Sequence, residues 1–385
     1  MAKRTAVIDI GSNSVRMIIY EKSSRFAFHI LHEAKSKVRI SENAYKNSGN
    51  LQIAPMQRTF DALKDFISIT ASFKVNKILC VATSALRDAP NKHEFTNRVR
   101  KELGLHIKVI NGEKEAYLGA IACANLLPPY QDAITIDIGG GSTEFALING
   151  KNVSHTISLD LGTVRLKELF LDKEQLSEAV AYIDEELKKL DGLSASNLIG
   201  IGGTFRAIST AIMEYKCYPL ERLHGFECEH KEFTKFIGDV LSANEAKLKK
   251  LGIKSDRYDV IKPGALILDR VIKKLALTKM ITSGVGVREG AYLSDLLRNS
   301  RDRFPENYNV SVRYLLDTHI KDANFSNNLN KIVKEIFDLT HEYLKIDPKY
   351  KLELRVAAKL YPIGSAIHFF SKNRHSYYMI QSALE

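Results

Sequence analysis

One short pattern occurs twice in this chain of 385 residues and constrains what the chain can fold into. VIDIGSNS covers residues 7–14, and TIDIGGGSTE covers residues 135–144. Each copy runs from a β-branched segment into Asp, Ile and Gly, and then into polar side chains. Because glycine lets the backbone turn tightly without a Cβ in the way, each copy predicts a strand, a tight turn and a second strand.

Strand and helix patterns alternate over roughly the first 300 residues, which predicts α/β lobes with mixed sheets. Apolar runs of strand length include TAVIDI, KILCVAT, AITIDI and NLIGIGG. Segments such as MQRTFDALKDFISITASF and EQLSEAVAYIDEELKKL instead carry apolar residues at helical spacing. We therefore interpret the repeated pattern as the duplication of a whole domain, with lobe I at residues 1–119 and lobe II at residues 120–299.

The pattern changes near Arg298. RDRFPENYN is polar and contains a proline, and it predicts a linker. The residues after it have helical patterns only, and SNNLNKIVKEIFDLTHEYLKI places apolar residues along one face of a long helix. We predict a separate all-α domain over residues 306–385.

Composition narrows the class of protein. No apolar run approaches the roughly 20 residues of a membrane helix. The N-terminus, MAKRTAVIDIGS, lacks the apolar region and cleavage site of a secretory signal, so a cytoplasmic protein without a membrane partner is expected. The net charge of +11 suits a polyanionic substrate or nucleic acid. The basic residues form no consecutive block, which argues against a nucleic-acid-binding arm.

The four cysteines are scattered and form no CxxC pair. Cys80 lies in the apolar run ILCVAT and Cys123 in AIACANLL, which predicts buried thiols in a reducing compartment. HGFECEH brings His224, Cys228 and His230 close together in the sequence. A fourth ligand and regular spacing are lacking, so we do not expect a metal there.

The two turns and a third glycine-rich segment, GIGGTFRA, have the composition of phosphate-binding loops. Successive backbone N–H groups in such turns bind anions. A single turn of this kind is more often an ordinary hairpin turn, but a pair of them, one on each lobe, favours a clamp on one phosphate chain. The predicted phosphate-binding residues are Gly11, Ser12, Asn13, Ser14, Gly139, Gly140, Gly141, Ser142, Thr143, Gly202, Gly203 and Thr204.

Asp9 and Asp137 end the strands that lead into the two turns, where they would repel a bare phosphate. Their position makes sense if Mg²⁺ lies between carboxylate and phosphate, directly or through water. The chain has no GxGxxG motif, so we do not expect a dehydrogenase.

The chain resembles the exopolyphosphatase / guanosine pentaphosphate phosphohydrolase family, within the actin-like ATPase superfamily. The resemblance covers about the first 300 residues and is carried by blocks in the family's order: VIDIGSNSVRM, VATSALRDAPN, NGEKEAYLGA, TIDIGGGSTE, SLDLGTVRLKE, GIGGTFRAIS, DRYDVIKPGALIL and SGVGVREGAYLSDLL. It implies two actin-like (ribonuclease H-like) lobes with mixed sheets flanking a cleft, followed by an all-α domain similar to the HD phosphohydrolases. It also implies a homodimer.

The resemblance implies a catalytic base and its partner. Glu115 matches the family's base, which activates a water molecule; the acidic residue that often precedes it in the family is replaced here by Lys114. Arg87 matches an arginine that neutralises the scissile phosphate. Without the resemblance, Glu115 would be interpreted as an exposed residue at a helix start, and Arg87 as a surface ion pair with Asp88.

Further roles follow from the same blocks. Asp137 and Glu144 match carboxylates associated with the metal, and Asp9 joins them as a candidate metal ligand from lobe I. Arg16 and Arg257 match positions that hold guanosine polyphosphates; the alternative for each is a simple surface charge.

The helical C-terminal region lacks part of the HD pattern. An active HD metal site needs adjacent His and Asp, whereas LYPIG puts Tyr361 and Pro362 at that place, so we predict an inactive site with structural roles for His368 and His375. The chain ends at Glu385, where longer family members continue, so this domain is expected to be incomplete.

We predict a hydrolase that releases orthophosphate from the ends of inorganic polyphosphate, or converts pppGpp of the stringent response to ppGpp, or does both. Mg²⁺ is the expected cofactor, and a monovalent cation such as K⁺ is an open addition. One alternative is an ATP-dependent kinase or chaperone-like ATPase of the same superfamily. Another is a non-catalytic sensor that binds (p)ppGpp or polyphosphate, which the presence of Glu115, Asp137 and Glu144 argues against.

Overall fold

The structure is a computed structural model that describes residues 3–320 and 323–383. By their contacts the described residues divide into two compact units. One unit contains residues 4–19 and 31–303, and the other contains residue 3, residues 20–30 and the residues described from 304 onwards. All the candidate site residues named above lie in the first unit.

The first sheet has five strands, which are β1 (Lys3–Ile10), β2 (Val15–Lys22), β3 (Phe28–Ser36), β4 (Lys77–Ala82) and β5 (Lys108–Val109). Their order across the sheet is β3-β2-β1-β4-β5, and β4 is parallel to both β1 and β5. Three helices accompany it, which are α1 (Ile53–Ser72), α2 (Ser84–Arg87) and α3 (Lys92–Leu103). The last of these strands, β5, has only two residues.

Alternating side chains of the first sheet form its core. Ile8 and Ile10 of β1 pack with Leu63 of α1 and with Phe95 and Val99 of α3. Burying apolar side chains of this size stabilises the fold by about 1.5–3 kcal/mol for each one. The strand pattern and the helix pattern seen in the sequence therefore meet in one core, and the turn after β1 is carried by a rigid element.

The second sheet has the order β10-β11-β9-β6-β7-β8. Its strands are β6 (Ala133–Ile138), β7 (Thr143–Asn149), β8 (Asn152–Leu159), β9 (Asn197–Ile201), β10 (Glu227–Glu229) and β11 (Lys279–Thr282). β6 is antiparallel to β7 and parallel to β9.

Eight helices lie in the same part of the chain. They are α4 (Gly112–Leu126), α5 (Thr163–Leu169), α6 (Leu176–Leu187), α7 (Gly202–Tyr215), α8 (His230–Ser242), α9 (Glu245–Lys250), α10 (Tyr258–Lys274) and α11 (Val287–Leu296). α4 spans the predicted boundary between the lobes and packs against β7, β8 and α11.

The C-terminal region is helical, as predicted. Its helices are α12 (Val310–His319), α13 (Ala323–Thr340), α14 (Lys351–Leu360) and α15 (Lys372–Ala383). Leu315, Leu360 and Ile363 form its small core. The apolar face predicted for the long helix is only partly buried in α13: Phe337 is buried, whereas Ile332 is 52% and Ile336 is 53% accessible. The predicted α/β fold with two mixed sheets and a helical C-terminal region is thus confirmed.

A buried carboxylate links the two lobes beside the glycine turns. Glu168 of α5 accepts hydrogen bonds from the backbone N–H groups of Asn43 at 2.8 Å and Tyr45 at 3.2 Å. Next to it, Lys46 pairs with Asp172 at 2.8 Å. Because Glu168 is buried, its contact with the loop is protected from solvent competition.

We expect Glu168→Ala to lower the free energy of unfolding by about 1–3 kcal/mol, since it leaves two backbone donors without their acceptor. Urea denaturation measures this loss. Glu178→Gln, an exposed change on α6, is the matched control and is expected to have little effect. Equal stability of the two variants would show that water replaces the Glu168 carboxylate at no cost.

No helix among the described residues combines the length and the apolar character needed to cross a membrane.

Candidate active site

The duplicated sequence pattern forms the same turn twice. In the turn after β1, the Gly11 N–H donates to the Ser14 carbonyl at 3.2 Å, and in the turn after β6 the Gly139 N–H donates to the Ser142 carbonyl at 2.9 Å. In both cases the aspartate precedes the turn at the end of its strand. Residues equivalent in the sequence are therefore equivalent in the backbone geometry.

The two turns face each other closely. A Cβ added at Gly140 would lie 2.5 Å from the Cβ of Ser12, and one added at Gly141 would lie 2.2 Å from the Tyr45 hydroxyl oxygen. Ser12 is also hydrogen-bonded to Ser84, with 3.2 Å between their Oγ atoms. Only glycine fits at these positions of the second turn, so the backbone N–H groups of both lobes can approach one ligand.

The third glycine-rich segment begins α7 beside Asp137. Gly202 has a φ of +80°, which favours glycine. A Cβ at this position would also lie 2.6 Å from Oδ1 of Asp137. The positive N-terminal end of a helix of this length attracts anions, so Gly202 lets this end approach the carboxylate and whatever binds next to it.

Glu115 lies on the first turn of α4, which the Asn111 side chain begins by accepting a hydrogen bond from the Lys114 N–H at 2.9 Å. Arg87 donates from Nη1 to Oε2 of Glu115 at 2.8 Å and from Nη2 to Oγ of Ser142 at 3.1 Å. Glu115 is only 7% accessible and lines the cavity in front of the turns. The exposed helix-start interpretation of this residue does not describe its position.

Two carboxylate oxygens in the site are buried without a hydrogen-bond partner, Oδ1 of Asp9 and Oε2 of Glu144. The other oxygen of Glu144 accepts a hydrogen bond from the Ser158 hydroxyl at 2.8 Å. No group of three or more His, Cys, Asp or Glu side chains suited to a metal occurs in residues 3–320 and 323–383. Mg²⁺ commonly takes only one or two protein carboxylates and completes its shell with phosphate and water. The donors present fit a cation of that kind.

Burial raises the pKa of several carboxyl groups in this site. The pKa of Asp137 is raised to about 6 and that of Glu144 to about 8, in each case chiefly by burial. Burial, and then the charge of Glu144, raise the pKa of Glu115 well above its usual value, although Arg87 opposes the shift. Strongly shifted carboxylates gathered in one cleft are typical of a functional site.

The pKa of Glu144 predicts how stability depends on pH in the absence of metal. Its pKa rises from 4.5 to about 8 on folding, so between these values the folded chain retains a proton that the unfolded chain has lost. Raising the pH across this interval therefore favours unfolding. We expect the melting temperature in EDTA to fall less steeply between pH 5 and 8 for Glu144→Gln than for the wild type. Parallel profiles would contradict the assignment.

Most of the predicted residues line one cavity, together with others that the sequence did not single out. Predicted residues that line it are Asp9, Gly11, Ser12, Asn13, Ser14, Arg16, Glu115, Asp137, Gly139, Gly140, Gly202, Gly203, Thr204 and Arg257. The lining does not include Arg87, Gly141, Ser142, Thr143 or Glu144. Thr143, for example, is buried and donates its hydroxyl hydrogen to the Leu161 carbonyl at 2.6 Å.

One wall of the cavity is basic. Arg16 and Arg257 lie there, as do Arg206, Arg288, Lys35 and Lys37, which sequence reasoning missed. Burial, together with the charges of Arg288 and Arg206, lowers the pKa of Arg16 to about 10. Such crowding of like charges favours a polyanion, and it shows that Arg16 is not simply a surface charge. Arg288 lies in GVREG and Arg206 in GGTFRA, two segments that belong to the blocks shared with the family.

The residues of HGFECEH do not line the cavity, and their contacts are structural. His224 accepts a hydrogen bond from the Gly284 N–H at Nδ1, at 2.9 Å, and its Nε2 lies 3.1 Å from the Leu126 carbonyl oxygen. Cys228 is buried and contacts Glu232. The histidine therefore joins the end of α4 to the turn after β11. Cys80 and Cys123 are buried, as predicted, and Cys217 is exposed.

Comparison with known proteins identifies the family to which this chain belongs. The model of the Ppx/GppA phosphatase family matches residues 18–299, which contain both glycine-rich segments of the second sheet and most of the cavity lining. The chain belongs to this family of phosphatases. The family resemblance predicted from the sequence is thus confirmed, and with it a family of enzymes.

Solved structures support the same assignment. A Ppx/GppA family member from Aquifex aeolicus is 30% identical, with a TM-score of 0.66, and the match covers 78% of this chain and 99% of that one. An exopolyphosphatase from Cytophaga hutchinsonii is 24% identical with a TM-score of 0.70, over 76% of this chain and 98% of that one, and shows the shared fold.

A curated relative of the Ppx/GppA family is much longer. The bifunctional 3-dehydroquinate synthase/phosphatase of Fusobacterium nucleatum is 32% identical over 289 residues, which cover 69% of this chain. The match spans 43% of the relative's length.

Proposed function

We propose that this protein releases orthophosphate from the ends of inorganic polyphosphate, or from pppGpp to leave ppGpp, or from both. The observation that carries the proposal is the contact between Arg87 and Glu115 beside two facing glycine turns. A buried carboxylate, a guanidinium and converging backbone N–H groups are what phosphoryl transfer to water requires.

Glu115 is the proposed general base. Its raised pKa makes it a stronger proton acceptor than an ordinary glutamate, and its position at the cavity wall lets it hold a water molecule. The water attacks the terminal phosphorus, the P–O bond to the rest of the chain breaks, and Glu115 takes the proton. Orthophosphate and a substrate one phosphate shorter are the products.

Arg87 and the turns stabilise the developing charge. Arg87 would exchange part of its contact with Glu115 for the terminal phosphate when substrate enters, which also frees the carboxylate. The N–H groups of both turns hold the remaining oxygens. Asp9 and Asp137, with Glu144 behind them, would hold Mg²⁺, which supplies further neutralisation of phosphate charge when bound.

Both substrates remain in the proposal because the basic wall suits any extended polyanion. The similarity to an exopolyphosphatase from Cytophaga hutchinsonii supports inorganic polyphosphate, a linear phosphate chain, as the substrate. The homodimer implied by the resemblance is likewise a proposal, and size-exclusion chromatography with light scattering tests it.

The deciding experiment measures orthophosphate release with Mg²⁺ from long-chain polyphosphate, pppGpp and ATP side by side. Release from polyphosphate or pppGpp supports the proposal and identifies the preferred substrate. Release from ATP alone would favour the superfamily ATPase instead. Binding of polyphosphate or ppGpp without any release would favour a sensor.

A further inference from the structure

Arg206 is a guanidinium held in a fixed place in the cavity wall by the backbone of a distant turn. It donates from Nε to the Ser283 carbonyl at 2.8 Å and from Nη2 to the Val285 carbonyl at 3.1 Å. Its Nη1 makes no hydrogen bond to any described residue, and Arg206 is among the residues that line the cavity. One edge of the guanidinium is therefore anchored, and the other is available to a ligand.

This fixed cation lies next to a proposed metal ligand. A Cβ placed on Gly286 would lie 3.7 Å from Nη2 of Arg206 and 4.0 Å from Oδ2 of Asp137, so the two charged groups flank the same glycine. Arg206 opposes the rise in the pKa of Asp137 that burial causes, and it does so more than any other charged group. The positive charge therefore lies close enough to the carboxylate at the end of β6 to interact with it through space.

The charges around Arg206 decide what this arrangement does. Asp9, Asp137 and Glu289 line the same cavity as Arg206, Arg288 and Arg16. A divalent cation that approaches Asp137 is repelled by the guanidinium of Arg206, which cannot move aside because the two carbonyl groups hold it in place. A phosphate group brings the negative charge that removes this repulsion.

We propose that Arg206 is a specificity-determining residue that acts as a built-in cation of the site. It weakens the binding of a divalent cation to the free cleft and binds a phosphate oxygen through Nη1, so that metal and polyanionic substrate enter together. This inference rests on the proposed function for its choice of polyanion, but it concerns binding and not turnover.

The test measures binding without catalysis. Mn²⁺ is the metal probe, followed by electron paramagnetic resonance in the absence of any phosphate compound. Inorganic triphosphate is the anion probe, followed by calorimetry in EDTA. For Arg206→Gln and Arg206→Met we expect about tenfold tighter Mn²⁺ binding and about tenfold weaker triphosphate binding, because a positive charge close to both ligands is lost.

Two variants separate charge from structure. Arg206→Lys keeps the charge and is expected to bind Mn²⁺ as weakly as the wild type. Arg270→Gln removes an arginine on α10 that pairs with Asp184 at 2.7 Å outside the cavity, and it should leave both affinities unchanged. Circular dichroism and thermal melting check that each variant is folded.

Several outcomes would overturn the inference. Unchanged Mn²⁺ binding in Arg206→Gln and Arg206→Met would show that Arg206 does not repel the metal ion. A loss of both affinities in all Arg206 variants, including Arg206→Lys, would indicate a purely structural residue. The wild type alone gives a further test, since triphosphate that fails to bind in EDTA would exclude a built-in cation. These measurements are independent of phosphate release, so a chain that hydrolyses neither substrate could still satisfy them.

Discussion

Glu115→Gln should lower kcat for orthophosphate release by about 10²–10⁴-fold, the range typical of losing a general base. Glutamine keeps the volume of the side chain and an oxygen that can still accept the hydrogen bond from Arg87. It cannot take a proton from water, however. The Michaelis constant should change little, because the proposed role of Glu115 is in the chemical step and not in binding the phosphate chain. Steady-state kinetics on the preferred substrate measures both constants.

Glu113→Gln is the matched control for this prediction. Glu113 lies two residues earlier on the same first turn of α4 and is exposed. It shares the helix-dipole environment of Glu115 but does not line the cavity, so its removal should leave kcat near the wild-type value. A Glu115→Gln enzyme that turns over at the wild-type rate would require another base.

Gly140→Ala is expected to lower kcat/KM by about 10²-fold, because the added methyl group separates the two turns. The new carbon would lie 2.5 Å from the Cβ of Ser12, whereas carbon atoms in contact are about 3.5–4.0 Å apart. The turns must move apart by about 1 Å, and a displacement of that size at a reacting centre commonly costs two orders of magnitude. The measurement is kcat/KM with the wild type and the variant at equal folded fraction.

Gly238→Ala provides the control for a glycine-to-alanine change. Gly238 lies within α8, and a Cβ there would have no heavy atom within 4 Å. Alanine at this place should stabilise the helix by up to about 1 kcal/mol and leave activity unchanged. Gly140→Ala with full activity would mean that the turns need not be in contact during catalysis.

The glycine turns could be predicted from the sequence because their determinants are local. The strand before each turn, its final aspartate and the glycine that follows are neighbours in the chain, and the structure repeats the same Gly-to-Ser backbone hydrogen bond in both copies. The α/β alternation is also local, since strand and helix periods can be read over about ten residues.

Other features depend on contacts between distant segments. Arg206 resembles any other polar position on a helix, and only the carbonyls of Ser283 and Val285 reveal that its guanidinium is fixed in the cavity. Thr143 shows the opposite case, a residue that the sequence suggests for the site but that lies outside the cavity lining. It follows the glycines of the second turn, as a phosphate-binding residue would, but its hydroxyl group donates to the Leu161 carbonyl. The direction in which these side chains point follows from tertiary packing.

The Glu168 carboxylate has a consequence for how this family can diverge. It holds the loop at Asn43 and Tyr45 through their main-chain N–H groups, which every residue except proline provides. Substitutions in the loop can therefore accumulate without weakening the link, whereas the glutamate has no equivalent substitute. Related chains should therefore keep an acidic residue at this position of α5, while the residues of the facing loop vary. A search for pairs of positions that vary together would not detect this contact, because only one of the two partners is constrained.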